Sequence, residues 1–166
     1  TFPDNIKKMS KDLQHNPIHL TTENSNQNAD IDQYFYETKK DEWNETLISI
    51  LEKYCPESSI VFCTTKIQCY DVAKYLNECG ASAMALHGDL EQYDRNEVMA
   101  RFANGSVSIL VATDVAARGL DIKNLGAVIN FQISRDPEVH VHRVGRTGRA
   151  GTKGLAISLY NRSEVF

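Results

Sequence analysis

An α/β fold with a mostly parallel central sheet, covered by helices on both faces, is predicted by three observations. Short apolar runs alternate with helix-length amphipathic segments. The runs are too continuous to leave one face in water. Polar, cationic or glycine-bearing tripeptides follow several of them, where ligands bind in open α/β sheets. With 166 residues and 18.7 kDa the chain suits one domain that buries about 70% of its unfolded surface.

The elements follow in order. Pro3-Asp4 followed by Ile6, Met9 and Leu13 reads as an amphipathic helix stopped before Pro17, and the polar stretch Thr21 to Asp30 reads as a linker. A strand over Ile31 to Glu37 precedes a helix from about Asp41 to Tyr54. The apolar run Ser59 to Cys63 is a strand, and the helix from about Ile67 to Cys79 is ended by Gly80. A strand over Ala83 to Leu86, a helix over Glu91 to Ala103 ended by Asn104-Gly105, and strands over Ser108 to Ala112 and Ala127 to Phe131 come next. A helix near Pro137 to Val144 and a strand over Leu155 to Leu159 complete the pattern. Tyr34-Phe35-Tyr36 is expected to be strand core plus edge, with one ring able to stack on a base.

Composition narrows the class. At 42% hydrophobic and 24% charged residues, the chain excludes wholesale disorder, collagen and coiled coil. No apolar run approaches eighteen residues and no secretory pattern opens the chain, so a cytoplasmic protein with no membrane partner is expected. Cys55, Cys63, Cys69 and Cys79 form no C-x-x-C pair; they are expected to be reduced core or surface thiols, with no metal site. His140 and His142 lack neighbouring ligands and are expected to make hydrogen bonds instead.

The net charge of −4 hides an asymmetry. Residues 1 to 94 carry eight Lys, no Arg and sixteen acids; residues 95 to 166 carry eight Arg, two Lys and six acids. Arginine's planar fork suits bidentate recognition of phosphate, so the second half is expected to hold an anion. The densest signal is His142-Arg143-Val144-Gly145-Arg146-Thr147-Gly148-Arg149, which has no acid. Three-residue spacing is expected to put Arg143 and Arg146 on one side of a helical turn, with Gly145 and Gly148 clearing the approach of a phosphate. In Thr113-Asp114 through Arg118-Gly119-Leu120-Asp121, Thr113 suits a phosphate or a helix cap, and Asp121 suits a ribose hydroxyl. His87-Gly88-Asp89, with Arg95 one turn into the next helix, suits an anion or a plain cap. The chain has neither a G-x-x-x-x-G-K-[ST] loop nor a strand-linked G-x-G-x-x-G, which argues against a Rossmann oxidoreductase and leaves it half of a nucleotide site.

Four ordered motifs carry a resemblance: Ile60-Val61-Phe62-Cys63-Thr64-Thr65-Lys66, Gln92-x-x-Arg95, Ala112-Thr113-Asp114 through Asp121, and His142 through Arg149. Together they resemble the second-lobe motifs of DEAD-box RNA helicases. His87 to Gln92, Arg101 to Gly105 and Asp136 to His142 are most similar to the DbpA-type bacterial subfamily, whose members act on large-subunit ribosomal RNA. The resemblance implies a three-layer RecA-like domain over residues 31–166, preceded at 1–30 by the tail of the first lobe and the linker. It implies an ATP-dependent RNA helicase when both lobes are joined, and no ATPase activity from this piece alone. Arg146 and Arg149 would be arginine fingers on ATP; Gly119 and Asp121 would touch the nucleotide; His142 and Arg143 would couple the lobes. Thr65, Gly88, Arg95 and Thr113 would hold the RNA backbone, and Mg2+ would be held mainly by the other lobe. The implied partners are RNA, ribosomal by subfamily, and the first lobe of the same chain, in a cytoplasmic monomer serving ribosome assembly. Thr64 departs from the Asn that many members carry. A non-catalytic RNA-binding adaptor with the same arginines is the alternative.

Overall fold

A computed structural model describes residues 30–162 other than Lys40, Asp121, Lys123, Asn124 and residues 149–151. The helix and linker expected over residues 1–29 lie outside the described residues. Strands β1 (Ile31–Glu37), β2 (Ser59–Cys63), β3 (Ala83–Leu86), β4 (Ile109–Thr113), β5 (Ala127–Asn130) and β6 (Gly154–Tyr160) form one sheet in the order β1-β6-β5-β2-β4-β3. Every pairing is parallel. Helices α1 (Trp43–Tyr54), α2 (Lys66–Glu78), α3 (Gln92–Ala103), α4 (Asp114–Ala117) and α5 (Pro137–Val144) connect them.

Alternation along β2 explains the layers. Val61 and Cys63 face one cluster with Leu47 and Ile50 of α1 and Val72 and Leu76 of α2. Ile60 and Phe62 face the other, with Val98 of α3 and Ala116 and Ala117 of α4. Both faces of β2 are therefore dry, which is why all five of its residues are buried and why the sequence there is an unbroken apolar run.

One expectation needs correction. Helix α4 was not foreseen, because four residues are too few to show a 3.6 period. The aromatic run in β1 divides between core and edge, as expected: Tyr36 packs against the core, while Tyr34 is 42% exposed and Phe35 56%. Among the described residues β1 pairs with one strand, β6, so less of its surface is covered.

From β2 the chain winds outward to β3, returns to β4, then crosses β2 to reach β5. The carboxyl end of β2 thus sits where the winding reverses, the position at which open α/β sheets bind ligands. One close approach fixes the far side of that region. The start of β6 presses on the turn ending in Gly148; a Cβ built on Gly154 would lie 2.5 Å from the Gly148 backbone nitrogen and 2.6 Å from its Cα. Backbone cannot yield as a flexible side chain does. Gly154→Ala is expected to cost about 2 kcal/mol or more in urea unfolding; a loss under about 0.5 kcal/mol, the scale of a neutral surface change, would contradict this contact.

Candidate functional site

The carboxyl ends of β2, β3 and β4 and the segment after β5 form one rim. Thr65 caps α2, its hydroxyl oxygen accepting from the Gln68 backbone N–H at 3.2 Å. Thr113 caps α4 in the same way, accepting from the Ala116 N–H at 3.4 Å. Capping uses only a lone pair, so each hydroxyl hydrogen stays available to donate to an external oxygen. For Thr113 the cap role weighed from the sequence is the one seen. Gly88 is exposed at the end of β3, and a Cβ there would meet nothing within 4 Å. Packing does not demand glycine at this point. Lys66, the first residue of α2, reaches Asp89 at 2.5 Å, and this hydrogen bond holds the Asp89 carboxyl below its usual range. Arg95 donates from Nη2 to the Ala116 carbonyl, tying α3 to the end of α4.

Arg143 is the most enclosed charge among the described residues. It is 4% exposed. Its Nε and Nη2 donate to the two carboxylate oxygens of Asp114 at 2.7 and 2.8 Å, and its Nη1 donates to Asn130 Oδ1 at 3.1 Å and to the Gln132 carbonyl at 3.0 Å. Its guanidinium lies 5.1 Å from the Phe62 ring centroid. Four of its roughly five N–H donors are thereby satisfied within this domain. Asn130, wholly buried, donates in turn to Ser158 Oγ at 2.9 Å. Gln132 extends the network outward by accepting from Thr64 Oγ1 at 2.6 Å.

Arg143 and Arg146 lie on one turn, the Arg146 N–H donating to the Arg143 carbonyl at 3.1 Å after α5 ends at Val144, but their side chains take different partners. Arg146 is half-buried and donates from Nη1 to the Leu120 carbonyl at 3.2 Å. Its backbone is anchored by Leu125, whose N–H donates to the Arg146 carbonyl at 3.3 Å, while the Thr147 hydroxyl donates to the Leu125 carbonyl. Gly119, beyond α4, is exposed with φ +79°, a left-handed turn that favours glycine. Asp121 and Arg149 lie outside the described residues. His142 is exposed on α5. His140 stacks on Phe35 with centroids 6.4 Å apart and lies 3.4 Å from Gln33 Oε1; burial and the Arg143 charge lower its pKa. Beneath the rim the Cys69 hydrogen bond and burial push the Cys63 thiol up, so it stays protonated. Cys63 and Cys69 are core thiols and Cys55 and Cys79 surface ones, as the sequence suggested.

Asp114, Asn130, Gln132 and Phe62 were not foreseen as holders of Arg143. They lie in β2, in α4 and at the end of β5, and no local spacing relates them to residue 143. Removing Arg143 would leave the Asp114 carboxylate and the buried Asn130 carbonyl without their donor. Arg143→Met is expected to cost about 3 kcal/mol in urea unfolding, and a cycle with Asp114→Asn should show a coupling of at least about 1 kcal/mol. Additive losses would show that the two side chains act independently.

Residues 42–151 match the helicase conserved C-terminal domain. Over 158 residues the chain is 51% identical to the ATP-dependent RNA helicase DbpA of Escherichia coli, covering 95% of this chain and 35% of that protein. It is 40% identical over 160 residues to the DEAD-box ATP-dependent RNA helicase RhpA of Helicobacter pylori, covering 96% and 32%. The chain therefore spans about a third of the length of these curated relatives. Among solved structures it superposes on the Escherichia coli DEAD-box protein SrmB, bound to regulator of ribonuclease activity A, with TM-score 0.75, 39% identity and coverage of 79% and 78%. A DEAD box protein from Methanococcus jannaschii gives TM-score 0.77 and 38% identity over 99% of this chain and 44% of that one. Sheet order, helix layers and these relatives agree on a three-layer RecA-like domain: the chain belongs to the helicase conserved C-terminal domain family and is a DEAD-box C-terminal domain.

Proposed function

We propose that the chain is the second lobe of an ATP-dependent DEAD-box RNA helicase, which completes an ATP site built on the first lobe and grips one RNA strand by its backbone. The observation that carries the reading is the division between two neighbouring arginines. Arg143 is committed to the interior, while Arg146 takes one partner among the described residues, the Leu120 carbonyl. A guanidinium that meets one carbonyl among the described residues, with its other nitrogens turned to no described partner, suits a γ-phosphate arriving from the facing lobe. Arg149 serves as the second finger, and Gly119 and Asp121 meet the nucleotide, Asp121 at the ribose. His142, exposed on α5, meets the other lobe. Arg143 couples the lobes indirectly, by fixing Asp114 and the start of α4.

Thr65, Gly88, Thr113 and Arg95 hold RNA phosphates. Two uncommitted hydroxyl hydrogens, an open glycine and a guanidinium with donors to spare support this grip, which reads backbone and carries little sequence information. Magnesium is held mainly by the other lobe, as the likeness to DEAD-box helicases implies. Similarity to the DbpA-type subfamily points to ribosomal RNA and large-subunit assembly, by a cytoplasmic monomer. Among the described residues no helix is long and apolar enough to cross a membrane.

In the two-lobe protein, Arg146→Ala or Arg149→Ala is expected to lower RNA-stimulated ATP hydrolysis about 10³-fold. Unchanged hydrolysis with weaker, salt-sensitive RNA binding would favour the adaptor instead. Arg95→Ala is expected to reduce the slope of log affinity against log salt by about 0.7, one phosphate contact to a single strand. An unchanged slope removes Arg95 from the RNA contact.

A further inference from the structure

A groove of about 700 Å³ opens between the first turns of α1 and α2, beside the rim but facing a different way in its chemistry. Its lining includes the rings of Trp43 and Phe131, whose centroids are 5.5 Å apart, and the side chains of Ile67, Val72, Asp41 and Asp71. Ile67 is 67% exposed, and Tyr70, one turn further along α2, is 60% exposed. Large apolar side chains left open around an aromatic base are the composition of a docking surface rather than of a solvated face.

The charged side chains among the described residues that line the groove, Asp41 and Asp71, are both acidic. Among the described residues no cation forms an ion pair with Asp41 or Asp71: Lys39 pairs with Glu42 at 2.8 Å, Lys66 with Asp89 at 2.5 Å and Lys74 with Glu78 at 3.9 Å, and Lys40 lies outside the described residues. The helix starts do not reverse this sign. At α2 the Gln68 N–H is answered by Thr65 Oγ1 and the Thr64 N–H by Gln68 Oε1 at 3.0 Å, and the start of α1 carries Asp41, Glu42 and Glu45. A phosphate would meet two carboxylates there, so a nucleic acid strand is disfavoured. An occupant that places a bulky apolar group on the rings and a cation beside each carboxylate satisfies both features.

We propose that this groove docks a segment of a partner protein that presents a leucine or aromatic side chain flanked by lysine or arginine. The groove shares Thr65 with the RNA rim, so such a segment would sit next to a bound strand without needing its phosphates. The inference stands independently of the proposed ATPase role.

Trp43 is the only tryptophan in the chain and lies in the groove, so its fluorescence reports occupancy directly. The chain is titrated with an acetylated, amidated Lys-Leu-Phe-Lys peptide, with the Glu-Leu-Phe-Glu peptide, and with oligouridylate. The lysine peptide is expected to give a saturable change with a dissociation constant of about 1 mM or below, and the glutamate peptide to bind at least about tenfold more weakly. The double variant Asp41→Lys, Asp71→Lys, with an unchanged far-UV spectrum, should invert that preference. Equal response to both peptides, no saturation with either, or a change produced by oligouridylate but not by the lysine peptide would overturn the proposal. The peptide charge swap keeps the test decisive if the double variant does not fold.

Discussion

A single buried guanidinium organises the functional edge of this domain. Removing Arg143 from water is costly unless its donors are met, and they are met by a bidentate carboxylate, a buried amide and a backbone carbonyl that come from separate elements. Those elements are therefore held in fixed relation at the carboxyl end of the sheet. Helix α4, only four residues long, could not be stable by itself. It is held at Asp114 by Arg143 and at the Ala116 carbonyl by Arg95, and its start is capped by Thr113.

This arrangement gives the arginine-rich segment its internal logic. Its first arginine faces the core because α5 lies over Phe62, and its second points past the helix end because Gly145 closes α5. Thr147 and Gly148, pinned by Leu125 and by the glycine at the start of β6, keep that second arginine near Leu120. The same network runs through Gln132 to Thr64, so the strand-end loop beside Thr65 and the start of α4 share one set of hydrogen bonds. In a two-lobe enzyme, ligands on either side of such a network would favour the same closed arrangement, and their affinities would be linked reciprocally.

How much of this was legible depended on how local the signal was. Strands buried on both faces announce themselves as unbroken apolar runs, as β2 and β5 do, and Pro137 and Asp136 mark the start of α5 unmistakably. In the edge strand β1 the aromatic run divides as its alternation suggests, with Tyr36 covered and Tyr34 and Phe35 exposed. Within the site, arginine density suggests an anion, but two arginines three positions apart look alike in sequence. Only the end of α5 at Val144 separates them. The partners of Arg143 were invisible because contacts between residues 114, 130, 132 and 143 are created by strand order, which no local spacing encodes.

The account rests on Arg143 staying inside the domain while Arg146 reaches outward. A crystal structure of the two-lobe protein with RNA and a non-hydrolysable ATP analogue tests this most directly. The Arg146 guanidinium should lie within hydrogen-bonding distance of the γ-phosphate, with the Arg143–Asp114 pair intact. Arg143 released from Asp114 onto the nucleotide, or Arg146 still turned to Leu120 and away from the phosphate, would contradict it.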